Sequence, residues 1–174
     1  LFKMNYFFGI KNNNIHSEIQ IPCFQNRTRK SIELSLFEGS INDGIWRFEE
    51  LKKCKVNSDF FIVQNEIIDN QKIFFICQPN EVSKLEKKEL KNFSKFTDTT
   101  PAFRSNLKIY LNNGGFSSYQ SEYPYNMINN KGNILSPLSI LLNKNADKNF
   151  LFLRNIYIKP IHEEFNLFFL DIHK

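Results

Sequence analysis

The stretch 103–126, FRSNLKIYLNNGGFSSYQSEYPYN, restricts this chain more than any other. Leu107, Ile109 and Leu111 alternate with Lys108 and Tyr110, the period of a strand with one buried face. Asn112, Asn113, Gly114 and Gly115 follow, residues that accept positive φ at little cost, so the chain reverses there. Beyond the turn, Phe116, Ser118, Gln120 and Glu122 fall on one face of a second strand. Ser117, Tyr119, Ser121 and Tyr123 fall on the other. A chain with a hairpin this clear at its centre is expected to build sheets.

Shorter signals elsewhere agree. Ile15, Ile19 and Ile21 predict a strand over 15–22, ended by Pro22 after an Asn-rich turn at 12–14. Residues 31–37 alternate with Ile32, Leu34 and Leu36 inward and Glu33 and Ser35 outward. A loop with two glycines is expected over 38–44. Residues 45–54 read ambiguously: Asn42 or Asp43 could cap a short helix there, but Ile45, Phe48 and Leu51 fit a helix face only loosely. The apolar runs 59–68 and 72–78, separated by Asp69, Asn70 and Gln71, predict a second hairpin. Strands are also expected at 150–158 and 165–172, with an edge piece at 134–142 broken by Pro137.

One amphipathic helix is predicted, at 81–96. Val82, Leu85, Leu90, Phe93 and Phe96 fall within an arc of about 140°. Asn80 can cap it, and Ser83 with Glu86 matches a capping box. The expected fold is mainly β, an antiparallel two-layer sandwich-like arrangement with this helix over an open face or end. Residues 1–174 are read as a single domain, with no repeat and no linker. The start at Leu1 rather than Met is what a piece of a longer protein would show.

Composition sets further bounds. A chain that is 41% hydrophobic and 24% charged has enough apolar surface to fold. Its bias toward Asn, Ile, Lys and Phe fits an AT-rich, bacterial-like genome. Phe makes up 19 of the 174 residues and is expected mostly in the core. The net charge of +5 favours anions weakly, but cations cluster only at Arg27, Arg29 and Lys30, a thin footprint for a nucleic-acid binder. Cys23, Cys54 and Cys77 are odd in number and show no CxxC pair, so reduced, largely buried thiols and a cytoplasmic setting are expected. The apolar runs fall far short of the roughly 18 residues that span a bilayer.

Motifs that carry chemistry are sparse. His16 and Glu18 share a strand face but are too few for a metal site, and His162 with Glu163 and Glu164 reads as a polar turn. Gly115-Phe116-Ser117-Ser118-Tyr119 lacks the second glycine and the helix of a nucleophile elbow. The loop 143–149 places oxygen ligands at alternate positions, but with one carboxylate and two lysines it reads as a solvated turn. Glycine-rich phosphate loops are missing, and no metal or cofactor is expected. What remains is Tyr119, Gln120, Glu122, Tyr123 and Tyr125, rings beside amide and carboxylate groups. That pairing suits a saccharide or small polar ligand, held by a non-catalytic binding or accessory domain. Bringing rings and polar groups to one groove requires a bend, for which Pro124 is the natural place. Two other readings are an enzyme of undefined class using Glu122 with His162, and a structural or assembly domain.

Overall fold

The structure is a computed structural model that describes residues 6–22, 35–51, 55–56, 60–85, 87–89, 105–112 and 114–120. It also describes 143, 145–147, 149–150, 159–161, 164 and 166. Among the described residues, nine strands and one short helix follow one another in the order β1 (Tyr6–Phe7), β2 (Ile15–Pro22), β3 (Ser35–Asn42), β4 (Ile45–Glu50), β5 (Lys55–Val56), β6 (Phe60–Val63), β7 (Ile73–Cys77), α1 (Pro79–Val82), β8 (Asn106–Leu111) and β9 (Gly114–Gln120). They form two sheets, β1-β7-β3-β4 and β5-β6-β2-β8-β9, in which every pairing is antiparallel. The expectation of a β-rich fold with two antiparallel sheets holds.

Phe7, Leu36 and Phe74 of the first sheet pack with Ile19, Ile21, Phe61, Val63 and Leu107 of the second. This is the core between the layers. Phe74 is fully buried, which contributes about 1.5–3 kcal/mol. The first sheet also buries its opposite face. There Tyr6, Phe37, Trp46, Ile73, Phe75 and Cys77 gather around Leu85. Phe48 meets Phe75 edge-on, with ring centroids 5.5 Å apart. With both faces covered, β3 buries four consecutive residues, Leu36, Phe37, Glu38 and Gly39, rather than every second one.

Glu38 is the charged member of that buried run. Lys72 Nζ donates to both its carboxylate oxygens, at 2.8 and 2.9 Å, which satisfies a group that would otherwise be desolvated without a partner.

Four sequence expectations change. Residues 38–42 continue β3 instead of forming a loop. Gly39 lies inside the strand because a side chain there would meet Ile73 Cγ1 at 2.9 Å. The turn is only Asp43-Gly44, both at positive φ, and it leads into β4 where a short helix was one reading of 45–54. The runs around β6 and β7 are not a hairpin, because β6 pairs with β2 and β5 while β7 pairs with β3 and β1. Ile67 and Ile68 leave the strand, and Ile68 plugs the core between the sheets.

The helix ends at Val82 rather than continuing to 96, and residues 83–85 and 87–89 are not helical. The backbone bonds tighten to three-residue spacing, Lys84 to Glu81 and Leu85 to Val82. Ser83 turns its hydroxyl onto the Asn80 carbonyl, and the Trp46 N–H takes the Lys87 carbonyl at 2.8 Å. The chain is drawn along the edge of β4 instead of coiling. Val82 and Leu85 still cover the sheet, as their spacing implied, while Leu90, Phe93 and Phe96 lie outside the described residues.

Two connections pass between the sheets side by side, 8–14 from β1 to β2 and 64–72 from β6 to β7. Ser17 is fully buried between them. Its hydroxyl donates to the Ile10 carbonyl at 2.6 Å and accepts from the Ile10 N–H at 2.9 Å. The Ser17 N–H reaches Asn65 Oδ1, and Lys11 and Asn70 exchange two hydrogen bonds. A Cβ at Gly9 would lie 2.5 Å from Ile68 Cγ2. Ser17→Ala strands both Ile10 backbone groups and is expected to destabilise by about 1–3 kcal/mol. Gly9→Ala overpacks Ile68 by a similar, roughly 1–3 kcal/mol, amount. Urea unfolding of each variant measures both. Wild-type midpoints would show that the two crossings do not depend on this contact.

Candidate functional site

The second sheet turns its other face outward, and its strand period sorts the side chains. Ile15, Ser17, Ile19 and Ile21 of β2 are buried, so His16, Glu18 and Gln20 share the outer face. In β8, buried Leu107 sets Asn106, Lys108 and Tyr110 on that face. Register then fixes the rows: His16 faces Tyr110, Glu18 faces Lys108 and Gln20 faces Asn106.

Each row has its own chemistry. The His16 and Tyr110 rings stack with centroids 5.7 Å apart. His16 Nε2 donates to Asn112 Oδ1, and the Asn112 amide reaches back to the Asn13 carbonyl at 3.4 Å. The hairpin tip is thereby tied to the start of β2. Lys108 Nζ lies 6.0 Å from the Tyr110 ring centroid, a weak cation–π distance. The Asn106 amide donates to Gln20 Oε1 at 3.4 Å, and Gln20 donates to Glu18 Oε1 at 2.9 Å. Burial raises the Tyr110 phenol above its ordinary pKa, with the Glu18 and Glu66 carboxylates adding to the effect, so the hydroxyl stays a neutral donor and acceptor.

The predicted site residues meet this face only in part. The backbone of β9 sets Tyr119 opposite Leu107 and Gln120 opposite Asn106, so Gln120 holds the next position in the Gln20–Asn106 row. Glu122, Tyr123, Pro124 and Tyr125 lie outside the described residues, as does His162. The hairpin carries a register shift between Tyr110 and Leu111, beside its turn. Lys108, Tyr110, Asn106 and Gln20 were not singled out as a site from sequence. Their signal was present in the i, i+2 spacing of polar residues on two strands, but it becomes a site only once those strands pair.

Among the described residues no group of three or more His, Cys, Asp and Glu side chains could hold a metal ion. In the loop at 143–149, Asn143 and Asn149 spend their side-chain oxygens on the loop's own backbone. Asn149 Oδ1 accepts the Asn143 N–H, Asn143 Oδ1 accepts the Asn145 N–H, and the Asn149 amide donates to the Asn143 carbonyl. No helix among the described residues is long and apolar enough to cross a membrane. No protein-family model, curated protein or solved structure matches the chain.

Cys77 is buried and free of any disulfide, while Cys23 and Cys54 lie outside the described residues. Burial pushes its thiol up to about 11, Glu81 adds to this, and a hydrogen bond from the Gln78 backbone opposes both. A group held protonated this way is a poor nucleophile at neutral pH. Alkylation of Cys77 at pH 8, followed by peptide mass spectrometry, is expected to run roughly a hundredfold slower than in the unfolded chain. The stabilisation from the protonated thiol is complete below the ordinary thiol pKa. It is lost as pH rises toward about 11. Equal labelling rates in folded and unfolded protein would contradict this.

Proposed function

We propose that the protein is a non-catalytic binding domain and that a saccharide is its ligand, engaged on the outer face of β2, β8 and β9. The observation that carries this reading is the amide row Gln20–Asn106, with Gln120 at the next register position. Amides donate and accept at once, as sugar hydroxyls do, so one row can match a ring's hydroxyls without choosing between donors and acceptors. Tyr110 adds ring area with a polar tip four residues along β8. An open sheet face suits a chain-like ligand better than a small enclosed one. Tyr119, Glu122, Tyr123 and Tyr125 continue the same hairpin in sequence and would extend the contact if the chain bends at Pro124.

A glycan array with the intact protein tests this reading. Binding to one saccharide class is expected, weakened on Gln20→Ala combined with Asn106→Ala. Asn106 is exposed and Gln20 half-buried, so the melting temperature should fall only slightly. An array without signal at millimolar ligand would remove saccharide as the ligand class.

A further inference from the structure

We propose that the Asp43-Gly44 turn is a latent isoaspartate site, held unreactive by the closed β3–β4 hairpin and converted in one direction when that hairpin opens. The inference is independent of the saccharide reading.

Asp43-Gly44 is the single Asp-Gly step in the sequence. Glycine puts no side chain beside its amide nitrogen, so that nitrogen can attack the preceding carboxyl without hindrance. The Gly44 nitrogen bonds to Asp43 Cγ and a Cγ–O bond breaks. One water leaves, made from the carboxyl OH and the amide proton, and a five-membered succinimide remains. Water then adds at the former main-chain carbonyl carbon and breaks its bond to nitrogen. The chain now runs through Cβ and Cγ of residue 43. Water is released once and taken up once, so the mass does not change.

Exposure favours this reaction. The Asp43 side chain is 81% exposed, and a Cβ at Gly44 would meet nothing within 4 Å. Backbone conformation opposes it. Asp43 and Gly44 have φ of 52° and 70°, and Asn42 pairs with Ile45, so the two residues form the left-handed centre of a type I′ turn. A left-handed residue carries its Cβ beside its own carbonyl oxygen. The next nitrogen lies on the other side of the carbonyl carbon, so the Gly44 nitrogen is turned away from the Asp43 carboxyl. Closing the ring requires rotation about the Asp43 Cα–C bond, which undoes the turn.

The turn is held by its strands. Arg47 pairs with Asp43 at 3.5 Å, but both side chains are exposed and such a pair is weak. Trp46 is only 3% exposed, packed with Phe37 and Phe75, and its N–H takes the Lys87 carbonyl. Opening the tip far enough to react lifts Trp46. The product does not fit back, because its extra main-chain methylene breaks the two-residue turn that sets the pairs Asn42–Ile45 and Ile41–Trp46. Each opening that ends in reaction is trapped with Trp46 out of the core.

Long incubation of the intact protein in warm neutral buffer, with and without denaturing urea, tests the proposal. Tryptic peptide 31–47 carries the site, and electron-transfer fragmentation separates isoaspartate from aspartate. The folded protein is expected to convert at least about tenfold more slowly than the unfolded chain. Arg47→Ala should keep the folded rate within about twofold. Trp46 is the sole tryptophan, so its emission should shift to the red in step with conversion. Asp43→Asn keeps a favoured type I′ pair and reacts with loss of ammonia, which intact mass reports, and it should show the same protection. Equal rates in folded and unfolded protein, for either chain, would overturn the conformational hold. So would an Arg47→Ala rate that matches the unfolded chain, since the ion pair would then be the hold. Conversion of the folded protein without a red shift would overturn the trapping of Trp46.

Discussion

The pairing of two chain crossings organises this fold. Each sheet is antiparallel and each is built partly from strands that arrive from the other layer. The connection after β1 and the connection after β6 run together, and Ser17, Asn65, Lys11 and Asn70 bind one to the other. Backbone groups crossing between layers have no ladder to join, so each needs a side chain or water instead. Here side chains supply them from a serine buried in β2 and two asparagines in the opposite loop. Gly9 and Ile68 add the apolar half of the same contact.

The first sheet places a second demand on the chain. Buried on both faces, it needs cover over Tyr6, Trp46 and Phe75, and Val82 and Leu85 provide it. The backbone must then stay close to β4, where the Trp46 N–H takes the Lys87 carbonyl. A long helix and this edge bond are incompatible at 83–89, and burial wins over helix propensity. Propensity differences are at most about 0.7 kcal/mol per ordinary residue, less than the roughly 1.5–3 kcal/mol for burying a leucine.

These competing demands explain what was legible in the sequence. The strand at 15–22 was readable because it has one wet face and alternates accordingly, and the hairpin of β8 and β9 because its Asn and Gly residues mark where the chain reverses. β3 was misread because it is covered on both sides, which erases alternation and leaves Glu38 and Gly39 looking like a loop, whereas β4 alternates Trp46 and Phe48 with exposed Arg47 and Glu49 over too few residues to displace the capping signal at Asn42 and Asp43. The 59–78 segment contains its turn, at Asp69 to Lys72, yet local sequence does not say which sheet a strand joins. For the candidate site, the polar positions of β2 were visible as a pattern. Their partners on β8 became meaningful only through register, a long-range property. Tyr119 and Gln120 could be placed on a strand, whereas their relation to Glu122, Tyr123 and Tyr125 depends on chain beyond the described residues.

Register also links the core to the face. Strand side chains alternate with period two, so a slip of one residue would exchange the faces of β2 entirely. Ile15, Ile19 and Ile21 favour one register by burial, but they would tolerate a slip of two with modest repacking. Ser17 removes that freedom, because its hydroxyl must meet Ile10 and its N–H must meet Asn65. At the other end, the irregularity between Tyr110 and Leu111, with Gly114 at φ 98°, sets where β8 turns into β9. His16 then bonds Asn112 across that turn. The outer rows are therefore positioned from two sides, by a buried hydroxyl and by a hairpin tip. A polar face held in this way would lose little further freedom if a ligand were to settle on it.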